Sequence, residues 1–200
     1  MVPPPAKNRF DAARLITIAN GLTAARILLV PYFAYLMISD KERAALLVFA
    51  VCGLTDALDG LLARWLRQRT LVGALLDPIA DKLLMATAFI VLSYVHIAPL
   101  RLAIMVISRD IIILVGSFLY LLLFEASDIR ATGLSKANTA VQVLTVIYFL
   151  SAAAFPAKTM ALGAGTGSLP DQAVTLTCAV TTVASGLQYL YIGIRKLSDA

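Results

Sequence analysis

Six apolar runs, near residues 20–38, 43–65, 72–95, 99–123, 137–155 and 173–194, take up nearly the whole chain. Each approaches the roughly 20 residues that an α-helix needs to cross the hydrocarbon of a bilayer. Within lipid, every backbone amide must find its partner inside its own segment, so runs of this length and polarity predict spanning helices. The composition agrees, since 60% of the 200 residues are hydrophobic, 14% are charged and the mean hydropathy is +0.86. The expectation is an all-α polytopic membrane protein with six transmembrane helices, a single domain over 1–200 with no room for a separate soluble one. The breaks are SDKER at 39–43, LRQRT at 66–70, HIAP at 96–99, ASDIRATGLS at 126–135 and PAKTMALGAGTGSLPDQ at 156–172. Ahead of the first run, FDAARLITIA at 10–19 spaces Phe10, Ala13 and Ile16 along one face. That reads as a short interfacial helix on an anionic leaflet, a frayed tail being the alternative.

Lys and Arg set the orientation. With a cytoplasmic amino terminus, six spans leave Lys7, Arg9, Arg14, Arg64, Arg67, Arg69, Arg130, Lys136, Arg195 and Lys196 on that side, against Lys41, Arg43, Arg101 and Lys158 outside. The positive-inside bias places both termini in the cytoplasm. A net charge of +5 then reflects topology and an anionic lipid surface, and no nucleic-acid partner is expected. Cys52 and Cys178 fall inside apolar runs and read as small buried hydrophobes. Trp65, Tyr189 and Tyr191 fit interfacial belts, and His96 reads as an external-loop residue without a role.

Against this background, four carboxylates stand out: Asp56, Asp59, Asp77 and Asp81, flanking the turn that joins the second and third runs. Helical spacing puts Asp56, Asp59, Gly60, Ala63 and Arg64 on one stripe, and Gly73, Asp77 and Asp81 on another. Two antiparallel neighbours joined by a short turn can point both stripes into one cavity near the cytoplasmic surface. Left alone, each carboxylate costs about 2.5 to 3.5 kcal/mol at the centre of a span. Arg64 and Lys82 supply at most two charges, and Lys82 points off the Asp81 face. Two divalent cations would balance the four, and oxygen ligands without His or Cys suit Mg²⁺, Mn²⁺ or Ca²⁺ better than Zn²⁺. A structural or proton-relay cluster is the plainer alternative. Against it, Gly60 and Gly73 clear space on the same faces, and Arg64 is placed to hold an anion, together suggesting a bound diphosphate.

The string Asp56-x2-Asp59-Gly60-x2-Ala63-Arg64-x8-Gly73-x3-Asp77-x3-Asp81 resembles, at every fixed position, the signature of the CDP-alcohol phosphotransferase family. The resemblance implies a six-helix membrane enzyme, commonly a homodimer, that transfers a substituted phosphate from a CDP-linked donor to an alcohol and releases CMP. It implies that Asp56, Asp59, Asp77 and Asp81 hold two divalent cations, Mg²⁺ or Mn²⁺, and that Asp81 is also the catalytic general base. Asp56, Asp59, Gly60, Ala63, Arg64 and Gly73 would then form the CDP site.

The acceptor is a separate question. ANGLTAARILLVP at 19–31 resembles the first helix of the bacterial branches that make phosphatidylglycerophosphate and cardiolipin, with Asn20, Thr23 and Arg26 on one face. ISRDIIIL at 107–114 and LSKANTAVQ at 134–142 look most like the CMP-forming cardiolipin branch. The expected partners are therefore CDP-diacylglycerol, phosphatidylglycerol and membrane lipids, with glycerol 3-phosphate as the alternative acceptor. Arg109, Lys136, Arg26, Asn20 and Thr23 are the candidate acceptor-binding residues, a plain ion pair or interfacial anchor being the competing reading of each charge. A non-enzymatic cation carrier would reuse the same carboxylates, but it needs access from both faces and the cluster lies toward one. The expected location is a bacterial inner (cytoplasmic) membrane with the site facing the cytoplasm, a mitochondrial inner membrane being the alternative.

Overall fold

The computed structural model describes residues 18–66, 71–123, 132–156 and 167–198; within these helices the side chains at 18–20, 22, 57–66, 71–78, 117–123, 194 and 196–198 are outside the description. The described residues are all-helical: α1 (Ile18–Ile38), α2 (Glu42–Leu66), α3 (Leu71–Tyr94), α4 (Leu100–Leu123), α5 (Gly133–Ala154) and α6 (Leu169–Ser198). Each covers one of the six apolar runs. The interfacial helix expected over 10–19 lies outside the described residues apart from its last two, which belong to α1.

Both α5 and α6 begin a turn earlier than hydropathy suggests, because their first turns are built from polar caps. The Thr132 hydroxyl accepts from the Ser135 amide at 3.2 Å and donates to Oε1 of Gln188 on α6 at 3.0 Å. On α6, Asp171 sits in the first turn, with its Oδ2 accepting from the Gly167 amide at 3.1 Å. The turns after α1 and α3 share one device. In each, a non-glycine residue takes the left-handed conformation, Asp40 at φ 56° and His96 at φ 60°. The amides of Lys41 and Ile97 reach back to Leu36 O and Leu92 O, which closes a Schellman motif at both ends.

The helices form two triplets. α1 lies against α2 and α3, α6 lies against α4 and α5, and the triplets join through α3 on α4 and through α5 on α2 and α3. The core between them holds Phe33, Phe89, Leu92, Leu102, Val106 and Leu150, with Phe33 and Phe49 rings 5.9 Å apart. Arg43 at the start of α2 donates to the Ala154 carbonyl at 3.1 Å and lies over the Phe155 ring, so one side chain serves the carboxy end of α5. Gly116 of α4 lets α6 come close: a β-carbon there would lie 3.1 Å from the Tyr189 ring. Tyr189 is thus partly buried against α4, while Tyr191 is exposed as a belt residue would be.

Among the described residues, Gly133–Ala154 and Leu169–Gly193 are long and apolar enough to cross a membrane. Thr23–Ile38 is a shorter apolar helix, and charged residues interrupt α3 at Asp81 and Lys82 and α4 at Arg109 and Asp110.

Candidate active site

Asp56 stands on α2 and Asp81 on α3, and the two carboxylates meet at a third helix. Nη1 of Arg26 on α1 lies 2.9 Å from Oδ1 of Asp56 and donates to Oδ1 of Asp81 at 2.8 Å. A single guanidinium nitrogen therefore bridges two of the four signature carboxylates. Arg26 is 1% exposed, whereas the side chains of Asp56 and Asp81 are 44% and 46% exposed. The cation is walled in and the carboxylates look outward into open space. Thr23, one turn before Arg26 on the same face, is fully buried.

One positive charge on two carboxylates leaves the described cluster net negative, and Asp59 and Asp77 add to that deficit in the sequence. Half-exposed carboxylate oxygens converging on one cation are hard donors of the kind a divalent cation such as Mg²⁺ takes. Asp56 and Asp81 thus fit the expected metal chemistry. Asp59, Gly60, Ala63, Arg64, Gly73 and Asp77 are placed by backbone alone, on α2 and α3, and their side chains lie outside the described residues, as does that of Asn20. Among the described residues no group of three or more potential metal ligands is assembled.

A second charged cluster adjoins the first. Successive helical residues diverge by about 100°, so Lys82 leaves α3 on a different side from Asp81 and donates to Oδ2 of Asp110 on α4 at 2.6 Å. Oδ1 of Asp110 accepts from Nη1 of Arg109 at 2.8 Å. Nη2 of Arg109 in turn donates to Ser135 Oγ on α5 at 2.7 Å and to Ser185 Oγ on α6 at 2.6 Å. Gly186 completes the fit, since a β-carbon there would stand 3.6 Å from Cγ of Arg109. The network ties four helices together.

Of the candidate acceptor residues, Arg26 and Arg109 are both buried and engaged with carboxylates, while Lys136 is exposed next to Ser135. The plain ion pair weighed for Arg109 is present with its neighbour Asp110, while the sequence reading missed Lys82 and Ser185 as partners in the network. A signal was present: a Lys and an Asp inside apolar helices each demand a counter-charge, and each supplies the other's.

The profile of the CDP-alcohol phosphatidyltransferase family matches residues 16–184, a stretch that contains both clusters except Ser185. The chain is 36% identical over 193 residues to the human CMP-forming cardiolipin synthase, covering 88% of this chain and 62% of that protein. It is 37% identical over 130 residues to the CDP-diacylglycerol–glycerol-3-phosphate 3-phosphatidyltransferase of Haemophilus influenzae, covering 62% of this chain and 70% of that protein. It is 36% identical over 115 residues to a CMP-forming cardiolipin synthase of Streptomyces coelicolor, covering 54% of each. The chain thus spans about three fifths of the human relative's length. With the matched profile running from the start of α1 to the middle of α6, and Asp56 and Asp81 meeting where α1, α2 and α3 join, this chain belongs to the CDP-alcohol phosphatidyltransferase family.

Proposed function

We propose that this chain transfers a phosphatidyl group from CDP-diacylglycerol to a hydroxyl of phosphatidylglycerol, forming cardiolipin and releasing CMP. The observation that carries the chemistry is the meeting of Asp56 and Asp81 at one nitrogen of Arg26, with their carboxylates open to solvent. The choice of acceptor is supported by the similarity, over 88% of the chain, to a CMP-forming cardiolipin synthase.

Asp56, Asp59, Asp77 and Asp81 would hold two divalent cations, Mg²⁺ or Mn²⁺, and Asp56, Asp59, Gly60, Ala63, Arg64 and Gly73 would receive the CDP group. When bound, the cations supply charge neutralisation to the diphosphate. Asp81 accepts the proton of the acceptor hydroxyl, whose oxygen bonds to the phosphatidyl phosphorus as the P–O bond to CMP breaks. Arg26 fixes the Asp81 carboxylate for that task. Lys136, exposed beside the Arg109 network, meets the acceptor phosphate, while Arg109, with Asn20 and Thr23, shapes the acceptor side. All six helices carry large apolar side chains in exposed positions, among them Leu28, Leu47, Ile90, Ile104, Leu144 and Leu187. So wide an apolar surface supports six membrane spans, with the aspartate end toward the cytoplasm of a bacterial inner membrane and the chain working as a homodimer.

The Haemophilus influenzae relative, matched over 70% of its length, favours a second reading with glycerol 3-phosphate as acceptor. Purified protein is given CDP-diacylglycerol with either acceptor, and the lipid products are identified by mass. Cardiolipin and CMP from phosphatidylglycerol, lost in EDTA and restored by Mg²⁺ or Mn²⁺, is the expected result. Efficient use of glycerol 3-phosphate with phosphatidylglycerol inert would transfer the assignment to the second reading.

A further inference from the structure

Far from Asp56 and Asp81, the turn between α3 and α4 and the first turns of α4 and α6 border a cavity of about 1030 Å³. Its polar rim holds Ser93, His96 and Arg101, and its lining continues along α4, α5 and α6 as Met105, Phe149 and Leu176. The volume is at the upper end for small-molecule sites.

Three features of the rim ask for an anion. Ser93 is 7% exposed, and its buried hydroxyl has no hydrogen-bond partner among the described residues. Such a group costs free energy unless something arrives to meet it. The amino terminus of α4 has no acidic residue in its own first turn, the cavity's carboxylate being Asp171 of α6. α6 differs, because its first turn holds Asp171, whose carboxylate is already taken by the Tyr148 hydroxyl at 2.7 Å and the Gly167 amide. Arg101, exposed in the first turn of α4, adds a full positive charge. His96, the left-handed residue that closes α3, stands on the same rim.

We propose that this cavity binds an anionic phospholipid, with its phosphate ester at Ser93, Arg101 and the start of α4 and an acyl chain along Met105, Phe149 and Leu176. A free phosphate would meet the donors and leave the apolar lining bare, which is why the occupant is a lipid. Its assignment to the leaflet opposite the reacting headgroups rests on the six-span topology proposed above; the cavity itself does not.

The full chain in detergent is irradiated with phosphatidylglycerol bearing a diazirine on one acyl chain, and labelled peptides are mapped. Saturable labelling of 93–105 and 167–179 is expected, competed by phosphatidic acid but not by phosphatidylcholine or inorganic phosphate. Arg101→Gln should weaken it about five-fold, the effect of one interfacial cation. Ala179→Trp, which sets a large ring on the cavity lining, should weaken it further, with the thermal midpoint of each variant confirming that it is folded. Labelling that does not saturate, that phosphatidylcholine competes equally, or that ignores both variants would reduce the cavity to ordinary boundary lipid and overturn the proposal. Competition by inorganic phosphate as strong as by phosphatidic acid would overturn the lipid assignment. CMP release measured on the same samples keeps the two proposals apart, since failure of the transferase reading removes that signal and leaves the labelling readable.

Discussion

The two charged clusters on either side of α3 are built from the same residue types to opposite effect. Around Arg26, one cation serves two carboxylates that remain half-exposed. Around Asp110, one carboxylate that is 12% exposed serves two cations, and two serines take the remaining guanidinium hydrogens on Nη2. Among the described side chains, the first cluster has fewer cations than carboxylates and is the more exposed; the second has more cations than carboxylates and is the more enclosed. A closed network with most donors met holds helices in register. An open one with a charge deficit holds room for a cation brought from outside. Charged residues inside an apolar chain thus divide by the sign of their imbalance and by exposure, and the negative, exposed set has the character of a cation site.

The largest effect that tests this contrast is expected from Arg109→Ala. It leaves Asp110 with Lys82 alone and removes the hydrogen bonds from α4 to α5 and α6, so unfolding in detergent should lose about 3 kcal/mol, the cost of breaking a buried charged network from one side. Added Mg²⁺ should not restore it. A variant as stable as the parent would show that the closed network does not hold α4, α5 and α6 together.

Arg26→Gln comes next. The carboxylates it leaves are half-exposed and partly solvated, so the loss should be smaller, on the order of 1–2 kcal/mol. Here Mg²⁺ or Mn²⁺ should raise the unfolding midpoint of the variant more than that of the parent, because a divalent cation supplies the missing charge. Equal shifts in both proteins would remove the distinction between an open and a closed cluster.

The smallest effect belongs to Ser185→Ala, which leaves Nη2 of Arg109 with one acceptor for its two hydrogens. About 1 kcal/mol is expected. Gly186→Ala, one residue on, adds a methyl at ordinary contact distance from Arg109 and should stay within about 0.5 kcal/mol. A larger cost at Gly186 than at Ser185 would make close packing, and not hydrogen bonding, the source of stability there.

Much of this arrangement was legible in the sequence because it depends on local periodicity. Six helices follow from six apolar runs, and the shared faces of Asp56 with Asp59 and of Asp77 with Asp81 follow from helical spacing. Even Lys82 pointing away from Asp81 can be read from their adjacency. What could not be read is how helices distant in the chain meet. Arg26 reaches Asp56 and Asp81 from α1 across 30 and 55 positions, and no periodicity within α1 encodes that register. The same holds for Arg109 and Ser185, 76 positions apart, so an arginine expected to meet a substrate phosphate is found clamped between helices. The early starts of α5 and α6 escaped for a different reason: capping residues are polar, and a hydropathy reading stops where they begin.

The adjacency of Asp81 and Lys82 has a consequence for how the chain can change over time. One side chain is bolted to α1 and its neighbour to α4, at bearings about 100° apart. Were a single codon lost or gained between Asp77 and Asp81, the upstream part of α3 would turn by that angle against the downstream part. Asp77 would leave the common face while Asp81 and Lys82 kept their bolts. This helix is therefore open to replacement of its residues and closed to any change in their number.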